Sequence, residues 1–519
     1  MRRRVFGTVL IISLCLVLTP SLVAAEPGFT QVRSMPTILG VPSTTLEAYA
    51  SVSCPAPRSC TAVGPGFLIN SQSFSPLGTA TAVTETNETW GARTALPLPM
   101  DAVASTTTSS AVSSVVCKAV GDCTAVGSYP TGAESIAPLV ETEVAGIWTA
   151  ISIVLPGGVI GIASLSSVWC ASDTSCVALG HFQGAGLPDE PMVVVETSGT
   201  WGQAVSLPAV PSGDGSGVQP LSIACSSTAN CDAIGIGGDS LASTFEWTEH
   251  AGVWSSVLKL PTLRSWQFLG ISIGCPTTTT CLVVGGLIPD AKASSQDMFP
   301  AVVTETSGKW SKPLRLPVPT LAPRTTQGLL TSITCTTVRT CEAVGGFLSL
   351  AGGSRARPGA FTWSDGHWSA PGMIRGVPLG NALADLSYFT AVACASKTEC
   401  VALGPDRTSK GSSTRAGAFA ATIAPMRPTT APSPPTSVNV HPVGTGAVVR
   451  WSPPVDDGGS QVTLYTVTVS PGGERCATTR LGCRVEGLVA GHLYRASVTD
   501  STVIGTSART RPISFVPLR

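Results

Sequence analysis

The sequence predicts an all-β protein in which a seven-bladed β-propeller is followed by an immunoglobulin-like β-sandwich. One observation is a repeat: two cysteines six residues apart, followed by a small apolar run that ends in Gly, occur seven times, first as SVSCPAPRSCTAVG at 51–64 and last as AVACASKTECVALG at 391–404. The other observation is composition. Charged residues make up 12% of the chain and Gly and Pro number 54 and 41, which favours short strands joined by turns.

The N-terminus predicts export. Three arginines precede a strongly apolar stretch, and Val23-Ala24-Ala25 stands before Glu26, the pattern of a secretory signal peptide over residues 1–25. No later run reaches the ~18 apolar residues of a membrane span. We therefore expect a secreted, extracellular protein, with association with the cell wall left open.

Charge excludes one class of partner. The formal net charge is +0 and no block of Lys and Arg appears, so the basic surface expected of a nucleic-acid-binding protein is missing. We expect no nucleic-acid partner and a monomer.

Successive copies of the cysteine phrase begin 50 to 63 residues apart, which is the length of one propeller blade. Each of the first six units continues with a second β-prone hairpin that contains a Trp, as in AVTETNETWGARTALPLP. Two hairpins give four strands per unit.

The seventh unit lacks its last strand, because AGAFAATIAP runs into a Pro-rich segment. The segment FTQVRSMP at 29–36 aligns with WSKPLRLP at 310–317, which places Phe29 at the Trp position. We expect this N-terminal strand to complete the last blade and close a propeller over residues 27–424, since closure removes an exposed sheet edge. An open stack of seven units is the alternative.

Five residues between two cysteines allow a strand, a turn and a second strand to bring both β-carbons to disulfide distance. Zinc sites and redox dithiols favour the closer C-x2-C spacing. In an exported protein we therefore expect structural disulfides. The pairs are Cys54 with Cys60, Cys117 with Cys123, Cys170 with Cys176, Cys225 with Cys231, Cys275 with Cys281, Cys335 with Cys341, and Cys394 with Cys400.

Two other residue types recur. Six tryptophans occupy the same place in the second hairpin, where a large flat side chain can pack one blade against the next; they are Trp90, Trp148, Trp201, Trp254, Trp310 and Trp368. Glutamates recur in the third strand, and we interpret them as equivalent residues that make a structural hydrogen bond; they are Glu85, Glu141, Glu196, Glu246 and Glu305.

A Pro-rich linker is expected at 425–436 and a separate domain at 437–519. The latter resembles a fibronectin type III domain through Trp451 with Ser-Pro-Pro after it, the turn at 456–459, the strand around Tyr465, and Tyr494 at the position of the tyrosine corner. The resemblance implies a non-catalytic β-sandwich that spaces or binds, of a kind common in bacterial secreted enzymes acting on polysaccharides, with Cys476 and Cys483 bridged inside it. The front repeats are similar to Cys-paired repeats of uncharacterised secreted bacterial proteins, which implies the propeller and no activity.

The search for chemistry assigns no catalytic residue, metal or cofactor. Propeller glycosidases need two converging carboxylates, whereas the predicted innermost strands contain no acid, and the five histidines are scattered. Ligand-facing candidates come from the variable loops: Glu47, Tyr49, Asp101, Arg264, Trp266, Asp385 and Tyr388, and also Asp214 and Arg324.

We expect a non-enzymatic binding or scaffold protein for an extracellular glycan or protein. The alternative is a secreted glycoside hydrolase or lyase that acts on a polysaccharide.

Overall fold

The structure is a computed structural model that describes residues 29–36, 49–64, 68–70, 73–75, 79–103, 110–132, 135–158, 161–184, 189–210, 217–237, 243–289, 298–318, 326–349, 355–369, 371–373, 388–396, 399–410, 413–423, 431–454, 462, 464–501 and 505–518. The predicted signal peptide and the first half of the predicted linker lie outside these ranges. Within them, the regular structure is β-strand apart from one 3-10 turn at Pro156–Gly158.

The described strands before residue 424 form seven antiparallel blades, numbered here in chain order from the cysteine phrases. Each has a first, second and third strand and an outer strand, which is split into two short pieces in blades 1 and 3 to 6. The strands are, in blade 1, Ser51–Ala56, Ser59–Gly64, Thr81–Thr86, Thr89–Trp90 and Thr94–Ala95; in blade 2, Ala111–Ala119, Asp122–Pro130, Ile136–Val144 and Ile147–Ser152; in blade 3, Gly161–Ser172, Ser175–Gly184, Glu190–Thr197, Thr200–Trp201 and Val205–Ser206; in blade 4, Val218–Ser227, Asn230–Gly237, Ser243–His250, Val253–Trp254 and Leu258–Lys259; in blade 5, Trp266–Thr277, Thr280–Pro289, Phe299–Thr306, Lys309–Trp310 and Leu314–Arg315; in blade 6, Thr326–Thr337, Thr340–Ser349, Arg355–Ser364, His367–Trp368 and Gly372–Met373; and in blade 7, Ala391–Ser396, Glu399–Lys410, Ser413–Ile423 and Phe29–Ser34. A short hairpin, Leu68–Asn70 with Ser73–Ser75, lies in the chain between the second and third strands of blade 1.

The ring closes at blade 7. The N-terminal strand Phe29–Ser34 pairs antiparallel with Ser413–Ile423, so that it supplies the outer strand of this blade. First strands of successive blades contact one another, and the first strand of blade 7 contacts that of blade 1. Arg33 of the closing strand makes an ion pair with Glu85 of blade 1 and donates a hydrogen bond to Thr422 Oγ1 at 2.8 Å. A charged side chain therefore joins the two ends of the ring.

In blades 1 to 6 a serine links the first strand to the next blade. The first strands of neighbouring blades pack face to face, so their backbones do not pair with each other. Instead, the Ser three residues before the first cysteine accepts a hydrogen bond from a backbone N–H of the following blade. The pairs are Ser51 with Val115, Ser114 with Val168, Ser167 with Ile223, Ser222 with Ile273, Ser272 with Ile333 and Ser332 with Val392, at 3.2 to 3.3 Å. In blades 3 to 6 the strand register shifts immediately before this Ser, as a β-bulge does when it re-aims a side chain. Blade 7 has Ala391 at this position, and the neighbouring Thr390 donates to Tyr49 O at 2.8 Å instead.

Eight disulfides connect the described cysteines, which confirms the prediction of disulfide bonds. Seven of them staple the first strand of a blade to its second strand next to the turn that joins the two. We call this end of each blade the cysteine end.

The recurring tryptophans lie between blades. Trp310 of blade 5, for example, packs against a core made by Ile234 and Leu260 of blade 4 and by Val283 of its own blade. The other five occupy the corresponding places; they are Trp90, Trp148, Trp201, Trp254 and Trp368. Large apolar area is thus buried at each of these gaps. Blades 2 and 3 are also joined by one parallel backbone pair, Ile136 with Ile162.

The C-terminal domain is a β-sandwich. Its two sheets are Pro435–Val443, Gly446–Pro454 and Gly482–Val485 on one side and Arg475–Thr478, Leu464–Ser470, Tyr494–Ser501 and Ile513–Phe515 on the other. Trp451 and Tyr465 meet in the core with ring centroids 5.5 Å apart, and the Tyr494 hydroxyl accepts a hydrogen bond from Val489 N at 3.1 Å. The bridge between Cys476 and Cys483 joins the two sheets. The predicted fold class, a propeller followed by an immunoglobulin-like sandwich, is confirmed.

Candidate functional site

The structure does not bring the predicted ligand-facing residues together. Glu47 and Asp385 lie outside the described residues, as do Asp214 and Arg324. Tyr49 is 1% exposed and its hydroxyl donates to Pro36 O at 2.8 Å. It is therefore a core residue beside the closing strand, where no ligand reaches it, and its assignment to a surface loop was wrong.

Three further candidates lie at separate places. Asp101, between blades 1 and 2, is exposed and accepts a hydrogen bond from the Tyr129 hydroxyl, 3.0 Å from each carboxylate oxygen. Arg264 is exposed, and Trp266 is half-buried with its ring centroid 5.5 Å from that of Phe299. Asp101 is thus two to three blades away from the other two in the ring, and these residues form no common site.

Tyr388 lines a real cavity. The cavity lies at the end of blade 6 opposite the cysteine end, where blades 5, 6 and 7 meet. Its volume is about 330 Å³. The side chains around it are mainly apolar: Met298, Leu329, Phe347, Leu348 and Tyr388, with Gln327 and Thr331 as polar members. We call it the Tyr388 cavity.

Local packing fixes the position of Tyr388. A Cβ built on Gly346 would lie 2.6 Å from Tyr388 Cβ, so only glycine leaves room for the tyrosine there. The next residue is held by its backbone, since Phe389 N donates to Gly345 O at 3.2 Å and Thr331 Oγ1 donates to Phe389 O at 2.7 Å. Burial raises the pKa of the Tyr388 phenol, which keeps it neutral. No Asp, Glu or His is among the described residues that line this cavity.

A second site lies between blades 4 and 5, near their cysteine ends. Carboxylate oxygens of Asp232, Glu246 and Glu305 all lie within 4.8 Å of one another, beside a cavity of about 300 Å³ that these residues line together with Trp310 and His250. We call it the acidic cleft.

Strand alternation explains how the acids meet. In the second strand of blade 4, Cys231 and Ala233 face blade 3 and Ile234 faces blade 5, so Asp232 also faces blade 5. Asp232 directly follows the second cysteine of its unit, where the other units have Thr61, Thr124, Val177, Leu282, Glu342 and Val401. Glu305 is paired with Cys281 in blade 5 and faces back towards blade 4.

The register also corrects the interpretation of the recurring glutamates. The equivalent residues are those paired with the outer-strand Trp, and they are Glu85, Glu143, Glu196, Glu249 and Glu305. Glu141 and Glu246 lie two and three residues earlier, as their numbers show against Glu143 and Glu249. Glu246 is therefore an additional acid and not a member of the repeat.

Burial and mutual repulsion set the charge state of the cleft. Desolvation, the strongest cause, raises the pKa of Glu246 to about 8, the Trp310 hydrogen bond lowers it, and the negative charges of Asp232 and Glu305 raise it further. Burial and then Glu305 raise the pKa of Asp232 to about 6, against the opposing effect of His250. Trp310 Nε1 donates to Glu246 Oε2 at 2.6 Å. The cleft therefore holds carboxyl groups that do not ionise together easily at neutral pH.

The sequence offered one signal of this site. An acid after the second cysteine occurs in two units, at Asp232 and Glu342. Glu342 is buried, and its Oε2 accepts a hydrogen bond from Thr362 Oγ1 of its own blade at 2.7 Å, while its Oε1 has no hydrogen-bond partner. Asp232 belongs to an acidic cluster because Glu305 of the next blade lies close to it, whereas Glu342 is bonded to a residue of its own blade.

Comparison with known proteins identifies the C-terminal part. The family model for the fibronectin type III domain matches residues 433–516. Fast-type myosin-binding protein C of Gallus gallus is 38% identical over 85 residues, which is 15% of this chain and 7% of that protein. The chain thus spans only a small part of that relative. The twitchin kinase region from C. elegans is 27% identical and matches 17% of each chain with a TM-score of 0.16.

Solved structures similar to the larger part of the chain are distant. An ulvan lyase of family PL25 is 9% identical and covers 73% of this chain and 94% of its own, with a TM-score of 0.45. A GH93 α-L-arabinofuranosidase of Fusarium graminearum is 10% identical and covers 76% and 98%, with a TM-score of 0.37. Likeness at this level carries no information about substrate or reaction. Fold and family match together define the molecule as a seven-bladed β-propeller followed by a fibronectin type III domain.

Proposed function

We propose that this protein is a secreted, non-enzymatic binding protein that holds an extracellular glycan or protein at the end of the propeller where the Tyr388 cavity opens. The observation that carries the proposal is the lining of this cavity. A concave, mainly apolar space of about 330 Å³ is within the size range of ligand pockets, in which a few polar groups fix orientation. Tyr388, Gln327 and Thr331 provide those groups.

The location is supported by the disulfides. Eight disulfides connect the described cysteines, which is consistent with an oxidising compartment outside the cytoplasm. Among the described residues no helix is long and apolar enough to cross a membrane. The proposal takes residues 1–25 as a signal peptide, and the fibronectin type III domain as a module that spaces or binds.

A glycan is the first ligand to test, because the apolar faces of sugar rings stack on aromatic and aliphatic side chains while their hydroxyls use groups such as the Gln327 amide. The oxidised mature protein is applied to an array of cell-wall and plant glycans. Tyr388→Ala is expected to abolish a positive signal. Tyr129→Phe, which removes a hydroxyl bonded to Asp101 at another blade, is the matched control and is expected to leave the signal unchanged. An equal signal from wild type and Tyr388→Ala would refute binding at this cavity.

The acidic cleft favours a second candidate function, polysaccharide cleavage. Two carboxyl groups with pKa values of about 8 and about 6 resemble an acid and base pair whose environments separate their titration. The test is release of reducing ends, or of unsaturated products, from a polysaccharide panel. Cleavage that Glu246→Gln abolishes would establish the enzyme and overturn the non-enzymatic proposal. No cleavage by wild type across the panel would remove this candidate.

A further inference from the structure

The acidic cleft contains a buried carboxyl group without its full set of partners. Glu246 is 2% exposed, and although Trp310 satisfies one of its oxygens, Oε1 has no hydrogen-bond partner in the structure. This side chain lines the cavity together with Asp232 and Glu305. A buried acceptor left unpaired is costly, so its presence needs a physical explanation.

Asp232 lacks donors in a different way. Its Oδ2 lies beside the sulfurs of the blade 5 disulfide, 3.3 Å from Cys281 Sγ and 3.7 Å from Cys275 Sγ. Sulfurs that are bonded to each other carry no proton, so neither can donate a hydrogen bond. The acceptor capacity of Asp232 is therefore unused on this side.

Another gap in the ring shows how the protein neutralises an acid when the chain supplies a cation. Glu85 occupies the position of Glu305 in blade 1, and Arg33 makes an ion pair with it. The described residues around the acidic cleft include no Lys or Arg. The basic group among them, His250, is exposed and its Nδ1 is bonded to Asn230 Oδ1 at 2.9 Å.

We propose that the acidic cleft binds one Ca²⁺ ion through carboxylate oxygens of Asp232, Glu246 and Glu305. Calcium takes oxygen ligands at about 2.3 to 2.6 Å, so oxygens on opposite sides of one ion lie up to about 5 Å apart. The mutual separation of up to 4.8 Å among the three carboxylates fits this distance. The ion replaces the missing cation and links blade 4 to blade 5.

The donor set selects the class of metal. Zinc and copper favour imidazole and thiolate, and the cysteines here are oxidised to disulfides. Magnesium requires near-ideal octahedral geometry and keeps several waters, whereas calcium tolerates an irregular set of carboxylates. Water molecules in the cavity complete the coordination.

The test uses the full-length oxidised protein after treatment with a chelator, titrated with CaCl₂ in a calorimeter. We expect a single site with a Kd between about 10⁻⁴ and 10⁻³ M, the range of extracellular modules. Terbium offers a second readout, since Trp310 donates to Glu246 at 2.6 Å and should sensitise its luminescence, and Ca²⁺ should quench that signal by displacement.

Variants locate the site. Glu246→Gln and Asp232→Asn keep side-chain shape while removing charge, and each is expected to weaken Ca²⁺ at least about tenfold because affinity follows the number of charged ligands. Glu342→Gln is the matched control, since Glu342 has the same position in the repeat as Asp232 but lies outside the cluster of three carboxylates. The Ca²⁺ affinity of this variant should equal that of wild type.

Three outcomes would overturn the proposal. The first is no heat and no sensitised terbium signal from wild type up to about 10 mM ion. The second is unchanged Ca²⁺ affinity in a folded Glu246→Gln variant, with folding checked by circular dichroism. The third is tighter binding of Mg²⁺ than of Ca²⁺.

Discussion

Glu141 offers a measurable test of how buried carboxyl groups act in this propeller. It lies in the third strand of blade 2, is 0% exposed, and neither of its carboxylate oxygens has a hydrogen-bond partner in the structure. Desolvation raises its pKa to about 8 from an ordinary value of 4.5. The folded protein therefore holds Glu141 protonated at neutral pH.

The sign of the pH effect follows from linkage. Between pH 4.5 and about 8 the unfolded chain releases the Glu141 proton while the folded protein keeps it, so the free energy of unfolding falls as pH rises through this window. The contribution of protonated Glu141 to the free energy of unfolding is fully present below pH 4.5, and it is completely lost above pH about 8. At about 1.36 kcal/mol per pH unit, the total is on the order of 3 to 5 kcal/mol.

The perturbation is Glu141→Gln, which fills the same space and does not titrate. Below pH 4.5 we expect the variant and wild type to have the same free energy of unfolding. As pH rises, the variant should become more stable than wild type, by up to about 3 to 5 kcal/mol. For a domain of roughly 400 residues, about 3 kcal/mol raises the melting temperature by about 3 to 4 °C. The assay is thermal unfolding of both oxidised proteins at several pH values. Glu88→Gln, which changes a half-buried side chain paired with the exposed Arg58, is the control and should change stability by less than about 1 kcal/mol. A difference that is constant with pH, or that grows as pH falls, would refute this explanation.

Three further substitutions test other parts of the ring. Arg33→Ala leaves the buried Glu85 carboxylate without its cation and should destabilise the protein by about 3 to 5 kcal/mol, measured by thermal unfolding at neutral pH. Ser222→Ala removes the acceptor for Ile273 N–H, at 3.2 Å, and should cost about 1 to 3 kcal/mol by chemical denaturation. Gly346→Ala places a methyl group 2.6 Å from Tyr388 Cβ; it should cost about 1 to 3 kcal/mol and weaken any ligand that Tyr388→Ala weakens.

Each of the three has a control. Arg58→Ala removes the exposed partner of Glu88 and should cost less than about 1 kcal/mol; equal losses at Arg33 and Arg58 would mean that burial of the pair is unimportant. Ser256→Ala changes an exposed serine of blade 4 and should be neutral, so an equal loss at Ser222 would speak against the inter-blade bond. Unchanged stability and ligand binding in Gly346→Ala would show that Tyr388 does not need this close contact.

The features that repeat along the chain were predictable, because a residue that recurs at equivalent positions of the units has the same structural role in each of them. Cysteine spacing indicated a disulfide inside each unit, and the regular tryptophans indicated packing between blades. The interpretation of the glutamates failed at Glu141 and Glu246, where the distance to the next Trp differs from that at Glu85. Glu246 lies three positions before the residue paired with its Trp, so its side chain is on the other face of the strand, whereas Glu141 lies two positions before and keeps the face but has a different partner.

The features that depend on one particular pair of blades were not predictable in the same way. The acidic cleft is made by Asp232 and Glu246 on one blade and Glu305 on the next. The sequence alone does not show that these two blade faces meet, or that none of the described residues around the three acids is Lys or Arg. The same is true of the Tyr388 cavity. Tyr388 was selected as a loop residue, but its position depends on the absence of a side chain at Gly346 in the preceding blade.

The most direct test of the acidic cleft is a crystal structure of the oxidised protein grown with Ca²⁺. We predict an ion about 2.3 to 2.6 Å from carboxylate oxygens of Asp232, Glu246 and Glu305, joining blades 4 and 5. A cleft that holds only water, with the carboxyl groups hydrogen-bonded to one another, would contradict the metal site and leave the acids available for proton transfer.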